Sequence, residues 1–465
     1  MNARLIKLWQ DLQSSYYFIP ALMAIGAVIL AYVTSHIDQT MDIAVVKKFD
    51  WLYANSPGAA RAILSTIAGS MITVAGVTFS MTMVAVTSAA SQYGPRLIGN
   101  FMRDKANQFT LGTFTATFVY CLLVMRVART GDDADAANRL TEIIPSVSLL
   151  VAMIMTLMSV GVLIFFIHHI PETLNVGNIT SRVGYRLRDN INKLFPTDIG
   201  ESGDDDVDLS KFDLKSSHKV ETDNEGYLQT LDDQAVLDIA CAHDLVIRLE
   251  YRPGDFCVTG NVLAHYWSDS DDLDHDEIKK QINSCFALGN ERTEHQNVLF
   301  LADELVEILG RALSPGINDP FTAINCMNWF HSALAAICQG KAPSPFRYDA
   351  SDTDRLRLIA YPVSFERFLS VICDQSRPYI AADRNAALHM MTILTELAAT
   401  ARTGHQKELF VKQLDNLTKA AAQQLPSDVD KKEIETRHKQ AKKIIDSDEV
   451  FREERDRQSW IGGRA

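Results

Sequence analysis

Four apolar stretches within the first 170 residues constrain the fold of this chain more than any other feature. A helix that crosses the hydrocarbon core of a bilayer needs roughly 20 apolar residues, and each stretch approaches or exceeds that length. A far more polar region of almost 300 residues follows them. The sequence therefore predicts a membrane protein that carries a large water-exposed domain. The apolar stretches comprise residues 17–35, 62–90, 109–128 and 144–167.

The basic residues around these stretches predict the orientation in the membrane. The first stretch begins too late for a typical signal peptide and precedes no small-residue cleavage site, so we expect it to be retained. Lys and Arg accumulate on the cytoplasmic side of membrane helices, and their balance favours a cytoplasmic location for both termini and the C-terminal domain. The predicted location is the bacterial inner (plasma) membrane, with several spans. Seven scattered cysteines without a CxxC pair agree with a reducing compartment.

The expected fold class is an α-helical membrane protein with four transmembrane helices and a C-terminal cytoplasmic α+β domain that is mostly helical. Residues 1–195 would form the transmembrane domain together with a cytoplasmic exit helix. Residues 196–220 are rich in Gly, Asp, Ser and Lys, which predicts a flexible acidic linker. Residues 221–424 would form the cytoplasmic domain, a small β-α-β-β unit followed by helices. Residues 425–465 would be a charged tail, either helical or disordered.

Hydroxyl-bearing side chains follow one side of the second apolar stretch. At roughly 100° per residue they fall within about 60° of one line, with Gly69 and Gly76 at its edge. Small residues and hydroxyls let membrane helices pack closely, and a shorter stripe on the third stretch could meet this one. The same hydroxyls could instead line a water-filled path for ions. The stripe, which we call the hydroxyl stripe, comprises Thr66, Ser70, Thr73, Ser80, Thr87, Ser88 and Ser91.

Two further features lie at the predicted inner boundary of the membrane. His168 and His169 are either an interfacial anchor with one hydrogen-bonded imidazole or a pH sensor, because histidine titrates near neutrality. The loop after the second stretch is basic and aromatic. Its Arg96, Arg103 and Lys105 suit contact with anionic lipid headgroups, and docking on the cytoplasmic domain is the alternative.

A helix–turn–helix corner is predicted at residues 311–323. Ser-Pro-Gly ends one helix there, and Asn318 or Asp319 caps the next, with Pro320 in its first turn. Arg311 could pair with Asp319 and lock the corner. We interpret the motif as structural, with contact to a ligand or partner as the alternative.

The motifs of several enzyme classes are missing from the sequence: the Walker loop, GxGxxG, HExxH, GxSxG and the kinase signature. We therefore expect no enzyme, no cofactor and no metal site. The acidic residues of 291–307 could hold a divalent cation, but solvated helix faces look the same in sequence. A net charge of −13 argues against nucleic acid as a partner. The expected partners are the lipid bilayer and further copies of this chain, with ions or a small ligand left open.

Several spaced motifs stand out along the chain: SYYFIP (15–20), AGSMITV (68–74), YGPR (93–96), LGTF (111–114), FVYC (118–121), FIHHI (166–170) and residues 311–323. Together they resemble a bacterial family of predicted integral membrane proteins, the domain of unknown function 2254. The resemblance runs from about Leu8 to the helices near Gln424. It implies a membrane topology and a soluble C-terminal part, but no activity and no catalytic residues. Asn297 stands where we expect an acidic residue in relatives, so the resemblance lends no support to a metal site there.

Two functions follow from this organisation. The leading hypothesis is an oligomeric ion channel or conductance protein with a cytoplasmic regulatory domain. A single four-helix unit leaves little room for a path of its own, so the pore would lie on a symmetry axis between copies. The alternative is a non-conducting scaffold or sensor, in which the helices anchor the cytoplasmic domain and the hydroxyl stripe is dry packing.

Overall fold

The computed structural model describes residues 15–40, 57–94, 104–127, 145–191, 193, 199–203, 207–269, 273–294, 296–349 and 352–457. The chain divides into two compact units. We call Gln10–Asn175 the membrane unit and Val176–Ala465 the C-terminal unit.

Four helices of the membrane unit are long and apolar enough to cross a bilayer, which confirms the predicted spans. The third helix is the most buried of the four, because the other three pack around it. Its Gly112 permits a close crossing, since a Cβ there would lie 3.2 Å from the Cα of Pro20 on the first helix. The helices are α1 (Phe18–Thr40), α2 (Pro57–Tyr93), α3 (Lys105–Met125) and α4 (Ser146–Leu174).

A buried polar cluster joins three of these helices. The start of α4 has no capping side chain of its own, and Asp38 of α1 takes that role. Its carboxylate accepts hydrogen bonds from the backbone N–H of Val147 at 2.8 Å and of Ser148 at 3.0 Å, and from the Ser148 hydroxyl at 2.6 Å. The Tyr120 hydroxyl of α3 lies 2.9 Å from Thr34 Oγ1 and donates to the Ser148 carbonyl at 3.1 Å. These bonds fix the register of α1, α3 and α4.

Two sheets organise the first part of the C-terminal unit. The larger has the strand order β1-β8-β9-β4-β6-β2, in which only the pair β4–β9 is parallel among the described pairs. The smaller has the order β5-β3-β7 and is antiparallel. The strands are β1 (Glu201–Ser202), β2 (His218–Glu221), β3 (Gly226–Leu231), β4 (Leu245–Leu249), β5 (Phe256–Cys257), β6 (Val262–Ser268), β7 (Phe286–Gly289), β8 (Phe346–Asp349) and β9 (Asp352–Ile359).

Helices make up most of the rest of this unit. A π-helical turn, Ser370–Asp374, joins α10 to α11, so that the two helices are continuous. The helices are α5 (Val176–Ile191), α6 (Asp233–Ala242), α7 (His275–Ser284), α8 (Val298–Ala312), α9 (Pro320–Gln339), α10 (Phe365–Leu369), α11 (Gln375–Ile380), α12 (Arg384–Ala399), α13 (Gly404–Gln424), α14 (Asp428–Asp446) and α15 (Asp448–Asp456).

Three strands lie where the sequence suggested only helices: β7, β8 and β9. On β9, arginines alternate with leucines. This alternation is typical of a β-strand, but it is short and lies among segments with a helical pattern. Arg357 of β9 is buried, and Asp244, directly before β4, lies 2.6 Å from its guanidinium. That hydrogen bond keeps the pKa of the Asp244 carboxyl below its ordinary value. The partner is 113 residues away in the chain, so no local pattern could show it.

Three segments near the expected domain boundaries contribute to the C-terminal unit. The exit helix α5 belongs to the C-terminal unit, where it packs on α8 and α9. The expected linker contributes β1 and β2, and Ile199 and Val220 lie in the core of that unit. The expected tail contains α14, whose Ile434 and Ile444 are buried. In each case the segment is charged overall, but a few apolar residues spaced for a strand or a helix lie on one side of it. That side is buried.

Gly184 allows α5 to approach α9. A Cβ at this position would lie 2.1 Å from the Trp329 ring, and the Tyr185 ring packs edge-on against the same tryptophan at 4.6 Å. We predict that Gly184→Ala destabilises the C-terminal unit by about 1–3 kcal/mol, because Trp329 has to move. Chemical denaturation of the detergent-solubilised full chain, followed by circular dichroism, measures this. Gly404→Ala is the control, since no atom lies within 4 Å of its Cβ position; equal effects would refute the prediction.

The Asp38 cap gives a second prediction. Asp38→Ala leaves the first N–H groups of α4 without their acceptor, so we expect a loss of about 1–2 kcal/mol in the membrane unit. Asp38→Asn keeps one acceptor oxygen and should lose less. Unfolding of the full chain by increasing sodium dodecyl sulfate in mixed micelles measures the order of the variants. Thr40→Ala is the control, because Thr40 is exposed and donates to the His36 carbonyl of its own helix. Equal stability of Asp38→Ala and Thr40→Ala would contradict the capping role.

Candidate functional site

The hydroxyl stripe lies on the side of α2 that faces away from its own bundle. Thr66, Ser70, Thr73, Ser80 and Thr87 are all exposed, as are Ser88 and Ser91. The opposite side of the helix is buried against α3 and α4. It is formed by Leu64, Ala68, Met71, Ala75, Thr78, Thr82, Val86 and Ala89. The stripe is therefore not a packing seam within one chain.

Most hydroxyls of the stripe donate to their own helix. Thr66, Ser70, Thr73 and Thr87 each donate to the carbonyl four residues earlier, at 2.8 Å in every case. A hydroxyl oxygen has two lone pairs, so each of these oxygens keeps its capacity to accept on the outer surface. These four residues thus present hydrogen-bond acceptors while their own O–H donors are satisfied.

Two valines interrupt the stripe. Val77 and Val84 lie on the same side of α2, with exposed fractions of 55% and 71%. They divide the hydroxyls into three bands along the helix. Near the second valine a groove of about 600 Å³ opens between α2 and α4, lined by Ser80, Val84 and Ser88 on one side and by Ile170 and Leu174 on the other. The open side of α2 is therefore alternately polar and apolar.

The shorter stripe of the third apolar stretch is buried inside the bundle. Thr110, Thr117 and Cys121 are fully buried on α3, and Thr113 is nearly so. The Thr117 hydroxyl lies 3.1 Å from that of Ser159 on α4. The two stripes do not meet, because α2 packs on α3 with its alanine-rich side instead.

A histidine–carboxylate pair joins the end of α4 to the start of α3. His169 Nε2 lies 2.8 Å from Asp104 Oδ2 and 3.2 Å from Thr173 Oγ1. Asp104 also caps α3 by accepting from the backbone N–H of Ala106 at 2.9 Å. His168 is exposed. The arrangement holds two helix ends together through one half-buried imidazole.

Of the predicted basic loop, Lys105 is exposed in the first turn of α3, while Arg96 and Arg103 lie outside the described residues. Lipid contact by this loop stays a prediction.

The predicted corner is formed by helix caps. Asp319 caps α9 by accepting from the Thr322 backbone at 3.1 Å and from its hydroxyl at 2.6 Å. Asn318 takes a left-handed conformation with a φ of 51°, which turns the chain between α8 and α9. The Arg311 guanidinium lies 3.5 Å from Glu307, one helical turn earlier. The sequence left the cap open between Asn318 and Asp319, and the structure places Asp319 there; the Glu307 contact was not anticipated.

The acidic residues considered for a cation contact arginines. Arg292 lies 2.5 Å from Asp303, and Arg186 of α5 pairs with Glu294. Asn297 caps α8 by accepting from the Phe300 backbone at 3.2 Å. Among the described residues, no group of three His, Cys, Asp or Glu side chains is placed to hold a metal ion.

Comparisons with known proteins place the chain in a family without an assigned activity. The family described as predicted membrane protein, DUF2254, matches residues 13–396. The uncharacterized proteins Mb1321c of Mycobacterium bovis and Rv1290c of Mycobacterium tuberculosis are 26% identical over 382 residues, which cover 82% of this chain and 71% of each relative. No solved structure matches the chain significantly. With four helices long and apolar enough to cross a membrane and a match over most of its length, this chain belongs to the DUF2254 family of predicted membrane proteins.

Proposed function

We propose that this protein is a homo-oligomeric ion channel of the bacterial inner membrane, with the open side of α2 lining a conducting path on the symmetry axis. The observation that carries the proposal is the direction of the hydroxyl stripe. Its residues are exposed on the side of α2 opposite the bundle. A stripe in that position is available to other copies of the chain, and a cyclic assembly would bring the stripes of all copies around one axis.

The bundle of a single chain is too well filled to conduct. Leu64, Phe114, Tyr120 and Leu149 are all at most 1% exposed, and they occupy the space between the helices. A path through this protein therefore has to run between chains. The helix that would line it is also the longest, with 37 residues, or about 55 Å of helix at 1.5 Å per residue. This exceeds a hydrocarbon core of about 30 Å, so α2 reaches into water or headgroups.

The chemistry of the stripe suits weak coordination of a cation. Hydroxyl oxygens that already donate to the helix backbone can offer lone pairs in place of water. Val77 and Val84 would form apolar rings between the hydroxyl bands. Such rings close a pore by excluding water when they are narrow, so they are candidate gates. In this proposal the C-terminal unit lies in the cytoplasm and regulates the path.

The second candidate is a membrane-anchored scaffold or sensor that conducts nothing. Gly69 and Gly76 support it, because no atom lies within 4 Å of a Cβ at either position and another helix could approach closely there. Small residues and hydroxyls are common at dry contacts between membrane helices. Both functions require an oligomer. They differ in whether the hydroxyl stripe contacts water or packs against another helix.

Cysteine accessibility separates the two functions. We expect Ser70→Cys, Thr73→Cys and Ser80→Cys to react with a water-soluble methanethiosulfonate in liposomes, because a conducting path exposes them to water. Site-resolved mass spectrometry measures the labelling against the native cysteines. Thr82→Cys is the control, since Thr82 is 4% exposed on the buried side of α2. Protection of all three stripe positions to the level of Thr82→Cys would overturn the channel.

The valine rings give a test of conduction itself. Val77→Ser should raise the ion flux of reconstituted liposomes, because a hydroxyl lowers the cost of wetting a narrow ring. Ile72→Ser is the matched control, since Ile72 is 46% exposed on α2 but lies off the stripe. A fluorescence-based potassium flux assay measures both variants. Equal flux from the two would contradict the gate, and absence of flux in every variant would favour the scaffold.

A further inference from the structure

A cavity of about 550 Å³ lies within the C-terminal unit. It opens where the end of α9 and the loop leading to β8 meet β1 and the start of α10. Small-molecule sites usually have volumes of about 300–1,000 Å³ and combine apolar walls with a few polar groups. This cavity has the size and the mixed lining of such a site.

A buried cation forms part of the wall. Arg347 of β8 is 2% exposed, and its Nη2 donates to the Ser344 carbonyl at 3.0 Å, which holds the guanidinium in place. A guanidinium presents five N–H donors in a planar fork that matches the oxygens of a phosphate or carboxylate. Attraction between charges is stronger at a buried position than in water. An anion that enters the cavity would therefore be drawn to Arg347.

Two further side chains add polar groups to the lining. Lys341 is exposed on the loop after α9 and brings a second positive charge to the cavity. Gln406 Oε1, near the start of α13, is buried and accepts no hydrogen bond from any described residue. A buried acceptor of this kind is normally satisfied, so a hydroxyl or amine of a bound molecule is a suitable donor. The carboxylate of Glu201 lines the cavity as well.

The remaining wall is apolar and closely packed. Ala336, Phe365 and Phe368 line it, and they suit a flat or apolar group rather than a bare ion. The opposite wall includes Gly203, directly after β1, where a Cβ would lie 1.9 Å from the Tyr348 ring. Gly203 therefore lies directly against β8, and this contact forms part of the wall in the ligand-free protein.

We propose that this cavity binds a small phosphorylated organic molecule of mononucleotide size, with the phosphate at Arg347 and Lys341 and the apolar portion against Phe365 and Phe368. The site requires no conduction by the membrane unit. If the channel proposal is correct, the cavity is where a soluble ligand would act on it.

Equilibrium dialysis of the detergent-solubilised full chain with radiolabelled AMP tests the site. We expect saturable binding that inorganic phosphate displaces and that adenosine does not, because the phosphate supplies the charge. Arg347→Gln should weaken binding at least about tenfold, since it removes charge-assisted hydrogen bonds.

Because Arg347 is buried, Arg347→Gln could lose AMP binding through misfolding alone. A variant of an exposed residue separates binding from folding. Lys341→Glu should weaken AMP binding severalfold while the circular dichroism spectrum stays that of the wild type. Lys419→Glu is the matched control, because Lys419 is exposed on α13 and does not line the cavity. Two results would each overturn the proposal: no saturable AMP binding by the wild type, or equal binding by Lys341→Glu and Lys419→Glu. Neither result depends on ion flux, so a failure here is distinguishable from a failure of the channel.

Discussion

Polar groups within membrane-crossing helices are normally satisfied inside the protein, because hydrocarbon offers no hydrogen-bond partner. The start of α4 meets this requirement through Asp38, which comes from a different helix and accepts three hydrogen bonds. Tyr120 meets it through Thr34 and the Ser148 carbonyl. These bonds are directional, so they fix the register of α1, α3 and α4 more precisely than apolar packing would. The orientation of α2 follows from the surface that this arrangement leaves open.

The same requirement explains how α2 can leave a hydroxylated side open. Thr66, Ser70 and Thr73 donate to carbonyls of their own helix, so their hydroxyls are satisfied without a neighbour. The buried side of α2 needs small residues such as Ala68 and Ala75 to approach α3. The alanines of α2 therefore pack inside the chain, and its hydroxyls stay exposed to lipid, water or another copy of the chain. That division is the physical basis for proposing an assembly of several copies.

Much of this architecture could be predicted from the sequence, because the signals are local. The four spans, the strand β3, the helix α6 and the Asp319 cap all depend on residues within a few positions of one another. The helical spacing of the hydroxyl stripe could likewise be predicted from the sequence. Arg347 went unnoticed, since nothing near it in the sequence distinguishes it from a surface arginine. The strands β8 and β9 were missed because their alternating pattern is short and contains charged residues.

The sequence by itself determined that the chain has four helices long and apolar enough to cross a membrane and that one of them carries hydroxyls on one side. Both features depend on the hydrophobicity and spacing of residues that are close together in the chain, so they can be predicted from the sequence alone. Only the tertiary structure decided that this side faces outward, that α5 and α14 belong to the C-terminal unit, and that Arg347 lines a cavity. These facts depend on contacts between residues far apart in the chain, such as Asp38 with Ser148 across 110 positions, and they exist only once the chain is folded.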